Sequence, residues 1–253
     1  MGERRDSDPG ADAVTQPIRI FGAGVRGQVI ADLIAWHFAD RFRLDGFYDD
    51  GKPAGSPGPG GVPVLGPVAQ ALDELPGSGI AAFLALGTYR SWRNCEIWAA
   101  LRSRQVDFPS LVAPTAIVSP SARIGSGAFV MGGCFVGAHA EIGHLFGANA
   151  GSVIEHHARI GNNVLLGSAV AIAGSGQVED HCFVGTNSTV LPEVRIGAGS
   201  LVGAGSVVSR DIAPGSVAIG SPARVRRPVG EEDEVPGPAR LAALAGLFDE
   251  VAA

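Results

Sequence analysis

The chain has 253 residues and a net charge of −6, with 37 glycines and only 6% aromatic residues. The acidic balance excludes nonspecific nucleic-acid binding, which needs clustered Lys and Arg to replace phosphate counterions. No apolar run approaches the roughly 20 residues of a bilayer span. The cysteines, Cys95, Cys134 and Cys182, form neither a CxxC pair nor an even set, which predicts a reducing, cytoplasmic setting. Residues 1–16 are polar, lack the apolar core of a signal peptide and read as a disordered leader.

The first predicted strand is IRIF at 18–21. GAGVRG follows at 22–27, and QVIADLIAW then carries helical spacing. A strand, a GxGxxG turn and a helix make a nucleotide-binding arrangement: Gly22, Gly24 and Gly27 let backbone approach a phosphate, and the helix N-terminus attracts it. Arg26, inside the turn, offers a fork of donors for phosphate or carboxylate. A second strand is predicted over 43–50 (RLDGFYDD), with Asp49 and Asp50 at its end. A third is predicted over 79–87 (GIAAFLALG), followed by a helix over SWRNCEIWAALRS. Three strand signals fall short of the roughly six of a dinucleotide fold. The half-size unit, residues 17–108, fits a mononucleotide, or a docking domain with a glycine turn and no ligand.

A six-residue ruler begins at Val112. Every sixth residue from there to Val208 is apolar: of seventeen positions, all but Ala148 are Val, Ile or Leu. Two residues before most marks stands a small residue, such as Ala128, Cys134, Ser152 or Ser188, and glycine often follows the mark. Residues two apart share one face of a strand, so the aliphatic and the small residue point inward together. Cys134 and Cys182 read as packing residues in the small slots. A period of six runs out of phase with 3.6 residues per turn and excludes a helix. The solution is a triangular prism whose 18-residue coils pair in parallel, with glycine-permissive turns at the corners.

The motifs IGSGAFV, IGNNVLLG and IGAGSLVGAGSVV resemble the left-handed β-helix of hexapeptide-repeat acyltransferases, and SRDIAPGSVAIGSPARVRR resembles the end-cap of that group. The expected fold is an α/β Rossmann-like small domain, an all-β left-handed parallel β-helix over 109–227, and a C-terminal helix. With FGAGVRGQVIADL, GFYDDG, VPVLG, FPSLVAPTAIVSPSARIG, NAGSVIEHHARIG, GTNSTVLP and GSPARV, the chain looks like the bacterial nucleotide-sugar N-acetyltransferases of the PglD/NeuD type over about residues 17–227.

That resemblance implies acetyl-CoA as acyl donor, no metal, a homotrimer, and a nucleotide-linked amino sugar held by Gly22, Gly24, Arg26, Gly27, Asp49 and Asp50. His156, the histidine of an E-H-x triplet, is implied as the general base that deprotonates the sugar amine. A neutral imidazole suits that task. Gly174, one coil later, is implied as the backbone oxyanion donor, and Asn187, Gly203 and Arg224 as further acyl-CoA contacts. The family has an acid directly after the base. Here His157 stands there, leaving the orienting role to Glu155 or to an acid of a neighbouring chain. The family's GGHGK turn reads GVRGQ, its His-Pro reads Ala113-Pro114, and a further family histidine aligns with Leu165. These departures point to an altered acceptor, a different acyl group or lost activity. An O-acyltransferase and a noncatalytic trimeric binding protein therefore stay open beside the N-acyltransferase.

His139, His144 and His181 are expected to be solvent-facing corner residues. The five-residue spacing of His139 and His144 resembles the zinc ligands of γ-class carbonic anhydrases, but no histidine stands at 100–106 as the third. His37 ends the first helix and complements its C-terminus. After an acidic linker (VGEEDEVP), Leu241, Leu244, Leu247 and Val251 predict an amphipathic helix in the segment 228–253. An isolated helix this short is marginal, so it is expected to dock on a neighbouring prism or its own chain.

Overall fold

The computed structural model describes residues 15–86, 92–230, 232–233, 235–244 and 246–248. Most of the expected leader, residues 1–14, lies outside the described residues, as does Val251.

The α/β region runs β1 (Gln16–Phe21), α1 (Val25–His37), β2 (Phe42–Tyr48), β3 (Val64–Gly66), α2 (Val68–Glu74), β4 (Ala81–Leu84) and α3 (Trp92–Arg102). Its four strands are all parallel, in the order β3-β2-β1-β4. β3 and α2 were not legible: VLG is three residues between Pro63 and Pro67, too short for any period to register. Helices cover both faces, as a parallel sheet requires. Ile30, Leu33 and Ile34 of α1 pack on Ile18, Ile20 and Phe83. Phe21, Tyr48 and Leu84 pack on the other side against Ala71, Cys95, Trp98 and Leu101.

The prism follows from the ruler. Two-residue strands from Leu111–Val112 to Leu201–Val202 form its first face, those from Ile117–Val118 to Val207–Val208 the second, and those from Arg123–Ile124 to Arg195–Ile196 the third. Each strand pairs in parallel with the strand 18 residues on, as in Ile142 with Ile160 and Ile154 with Ile172. The marks from Val130 to Val208 are buried, and so are the small residues Ala128, Cys134, Ser152, Cys182, Ser188 and Ser206. Val112, Val118 and Ile124, in the first coil, are only partly buried. Burial pushes the Cys182 thiol up to about 12, and the thiol donates to the Gly197 carbonyl, consistent with a packing role.

Two separate constraints act at the corners. The glycine after a mark is needed for space: a Cβ at Gly137 would lie 2.6 Å from the His156 nitrogen one coil on, and at Gly167 it would lie 2.4 Å from that of Thr186. The left-handed conformation falls two residues later, at Asn163, Ala169, His157, His181 and Asn187 among others, where φ is 52–60°. The sequence assigns the turn to the glycines after the marks; the left-handed positions are glycine only in part, as at Gly127, Gly133 and Gly151.

The first face is covered by the α/β region: Leu111, Phe129 and Leu165 join the core beneath α1. The chain closes with an antiparallel hairpin, Ser216–Gly220 and Ala223–Pro228, and with α4 (Pro238–Leu244). α4 docks on its own chain. Leu244 and Phe248 enter the core beside Trp98, and Arg240 stacks 3.9 Å from the Trp92 ring centroid.

Ile172, fully buried in the prism, tests the inward column. Ile172→Ala should lower the unfolding free energy by about 2–5 kcal/mol, seen as a lower denaturant midpoint with the circular dichroism of the folded state retained.

Candidate functional site at the prism corner

His156 and His157 occupy a corner between the second and third faces, and both are exposed. Backbone bonds fix what stands above and below them. The His157 N–H donates to the Ala138 carbonyl, and the Ser175 N–H donates to the His156 carbonyl, each at 2.9 Å. Gly174 therefore stacks on His156, and His139 lies beneath His157. The His156 ring lies directly against Gly174: a methyl group there would sit 2.7 Å from Cε1 and 2.8 Å from Nε2. Only glycine leaves room for the imidazole. The Gly174 N–H has no acceptor among the described residues, so it is a free donor beside the ring. The Nδ1 atoms of His156 and His157 are 3.2 Å apart, and the His139 and His157 rings meet at a tilt of 39° with centroids 5.1 Å apart. Sequence reasoning treated His139 as an independent surface residue; its 18-residue spacing from His157 was the available signal. Glu155, half-buried, takes part in no ion pair among the described residues.

The glycine turn sits at the carboxyl ends of β1 and β4. Gly22 has φ 98°, and a Cβ there would press on the Ala85 carbonyl after β4. A Cβ at Gly27 would lie 2.0 Å from the Gly22 carbonyl oxygen, whereas Gly24, the N-cap, faces open space. Both predicted acids are engaged. The Asp49 carboxylate accepts from the N–H groups of Ala23 and Gly51, at 2.7 and 2.8 Å, and so braces the turn. Asp50 accepts from Val68 N–H at the start of α2 and pairs with Arg93. Lys52 Nζ donates to the Ala23 carbonyl at 2.7 Å. Arg93 and Lys52 thus bring cations to the turn that the sequence did not single out. Arg26 turns back over the Phe129 ring, 5.5 Å from its centroid. Arg26 and Leu165, read as separate departures near ligand-facing positions, line one narrow cleft at the seam between α1 and the first face.

The remaining predicted contacts are dispersed in a single chain. Asn187 and Gly203 lie at the corner between the first and second faces, a different prism edge from His156. Arg224, exposed on the closing hairpin, donates to the Ala223 carbonyl.

Two of the three expected solvent-facing histidines are covered instead, because α3 and the chain end pack over the corner between the third and first faces. His181 is 4% exposed, with Asn163 Nδ2 at 3.1 Å from its Nδ1. His144 accepts from Ser126 N–H, stacks on Phe248 and meets Trp98 at a tilt. Burial lowers the protonation of both rings below the ordinary 6.5, with Asp180 partly opposing it at His181. Among the described residues no three His, Cys, Asp or Glu side chains gather as a metal site needs, and no helix is long and apolar enough to cross a membrane.

Comparison with known proteins agrees with this architecture. A family profile described as bacterial transferase hexapeptide (six repeats) matches residues 176–210. The crystal structure of PerB from Caulobacter crescentus, in complex with CoA and GDP-perosamine, superposes with a TM-score of 0.75 at 33% identity, covering 86% of this chain and 100% of that one. The acetyltransferase domain of PglB from Neisseria gonorrhoeae gives 0.75 at 27% identity, covering 84% of this chain and 100% of that one. A putative acetyltransferase from Schizosaccharomyces pombe is 38% identical over 91 residues, which are 29% of this chain and 44% of the yeast protein. The chain thus spans less than half of that curated relative. The α/β region, the parallel three-sided prism and these likenesses place the chain in the hexapeptide-repeat, left-handed β-helix acyltransferases of the PglD/NeuD sugar N-acetyltransferase type.

The buried imidazoles set a pH dependence. Their folded-state protonation is depressed, so the unfolded chain binds protons first as pH falls below 6.5. Their stabilising contribution is complete above that value and is lost below it. The melting temperature should drop between pH 7.5 and 5, and His181→Asn should make that drop shallower; an equal drop in both proteins would contradict the assignment.

Proposed function

We propose that the protein is an acetyl-CoA-dependent N-acyltransferase acting on the amino group of a nucleotide-linked amino sugar, with His156 as general base. The observation that carries this reading is the His156 imidazole lying against Gly174, whose N–H is free, at an open prism corner. A proton acceptor and an oxyanion donor are the two groups that amine attack on a thioester requires. Asn187, Gly203 and Arg224 are assigned to the acyl-CoA. The acceptor's nucleotide is assigned to the turn of residues 22–27, where Gly24 leaves the start of α1 open and Asp49, Asp50, Lys52 and Arg93 shape the rim. PerB was crystallised with CoA and GDP-perosamine, which favours a nucleotide-linked amine as acceptor. Variants of that enzyme with one histidine changed to asparagine or alanine were also crystallised in complex with both ligands. A histidine that serves the chemistry rather than the binding would behave in this way.

In this reading, residues 17–108 bind the nucleotide and 109–227 bind the acyl donor, while in the segment 228–253 Leu244 joins the core beside Trp98 and Phe248 packs between Trp98 of the first region and His144 of the second. The working unit is a homotrimer. The outward residues of the second face, Ile117, Phe135, Val153, Ala171, Thr189 and Val207, form a mostly apolar surface on which none is buried among the described residues, and Ile117 is 67% exposed. A groove of about 800 Å³ between α1 and the neighbouring corner, lined by Val29, Trp36, Thr115 and Met131, adjoins it. A trimer would bring the corner carrying Asn187 and Gly203 in one copy toward that of His156 in the next. The three free cysteines fit a cytoplasmic location.

The test is thiol release from acetyl-CoA with GDP- and UDP-linked 4-amino sugars, with the product identified by mass spectrometry. Acetyl-amide formation is expected. His156→Ala should cut turnover by about 10²–10⁴-fold, and Gly174→Ala should do the same by displacing the ring, both with the melting temperature nearly unchanged. Ester products would identify an O-acyltransferase. Acetyl-CoA binding without any turnover would identify a binding protein. In light scattering the chain should run at three times its own mass, and Phe135→Asp should reduce it to a single copy with loss of turnover.

A further inference from the structure

We infer that His157 is the positioning residue of the site: its Nδ1 accepts the Nδ1 proton of His156, so that an imidazole orients the base. The inference rests on His156 being that base. Two Nδ1 atoms 3.2 Å apart form a hydrogen bond only when one carries a proton and the other a lone pair. If His157 were the donor, His156 would carry its proton on Nε2 and could not accept another there. With His156 as donor, its Nε2 lone pair is bare, and Nε2 is the ring nitrogen lying against Gly174. Only the second pairing allows catalysis. His139, one coil below with its ring centroid 5.1 Å from that of His157, limits the positions open to the accepting ring.

The arrangement completes the proton balance of the reaction. The amine nitrogen forms a bond to the thioester carbon and gives a proton to His156 Nε2. The C–S bond breaks, and the CoA thiolate takes that proton, leaving an amide and a thiol. While His156 holds the proton, its Nδ1–H stays bonded to His157, a charge-assisted hydrogen bond. One proton bound to the pair from solvent silences the base, because the resulting cation carries N–H at both Nε2 positions. The other titratable or charged groups around the pair are Glu155 and Arg159 on the same coil, His139 one coil below and Glu193 two coils above.

The corner itself supplies suitable variants. The left-handed position of His157 (φ 58°) is held elsewhere in the prism by Ala169 (φ 55°) and Asn187 (φ 58°), so alanine and asparagine both fit its backbone. Nitrogen-15 NMR of the full-length protein, labelled at histidine and without ligand, reads the tautomer directly. Wild-type His156 should be protonated on Nδ1 with Nε2 bare. His157→Ala should move the proton to Nε2, and His157→Asn, whose Oδ1 accepts a hydrogen bond, should keep it on Nδ1. Wild-type His156 protonated on Nε2, or a tautomer indifferent to His157→Ala, would overturn the inference.

Turnover with acetyl-CoA and GDP-perosamine gives the second arm. His157→Ala should lower kcat roughly tenfold or more with the KM for acetyl-CoA unchanged, and His157→Asn should restore most of it. His157→Asp should also restore kcat while moving the acidic limb of the profile to higher pH, because a carboxylate favours the imidazolium. An alanine variant with wild-type kcat would also overturn the inference. The NMR arm needs no acceptor and decides the matter whether or not the acyltransfer reading holds; turnover undiminished in His156→Ala would sink only that reading.

Discussion

Parallel backbone pairing at a fixed interval of 18 residues is the constraint on which the site depends. Once Ile142 pairs with Ile160, and Ile154 with Ile172, every corner residue is locked above the one a coil earlier. The interior needs this register to keep the aliphatic columns continuous: a slip of one residue would send each of them to the surface. The geometry of the candidate site is then a by-product of core packing. Gly174 meets the His156 ring and His139 meets His157 because the columns inside the prism admit no other alignment.

The same register explains why glycine and left-handed residues alternate along the corners. Where a glycine follows the ruler mark, the next coil, about 4.8 Å away, leaves no room for a Cβ, as at Gly137 and Gly167; other marks are followed by larger residues such as Met131 and Glu155. The turn itself is made two residues later, and there the chain accepts Gly, Asn, His, Ser, Ala, Leu and Glu. That tolerance frees one position per corner for function. The three corners have diverged accordingly. One carries the exposed imidazoles; another is sealed by Trp98, Phe248 and the ladder of His144, Asn162 and Asp180; the third holds Asn187 and Gly203.

The prism was legible because its period is unbroken over seventeen positions, and a repeated pattern averages out the ambiguity of any single strand. The α/β region was legible wherever an apolar run marked the strand: β1, β2 and the four-residue β4 stood out, whereas β3, three residues between prolines, did not. At the candidate site, the proximity of His156 and Gly174 followed from spacing plus resemblance. The burial of His181 and His144 did not, because it depends on where α3 and the chain end come to rest, and nothing in the repeat encodes that. The engagement of Asp49 and Asp50 was equally hidden: a carboxylate at a strand end reads the same whether it awaits a ligand or braces its own turn.

The proposed function needs one prism corner to present a base and an oxyanion donor to an amine held beside a thioester. A crystal structure with CoA and a nucleotide-linked amino sugar tests it most directly. The sugar nitrogen should lie at about 2.6–3.2 Å from His156 Nε2, with the CoA sulfur next to it and the Gly174 N–H directed at the place the thioester carbonyl oxygen would take. A CoA sulfur lodged at another edge of the prism, or an amine out of reach of His156, would contradict it.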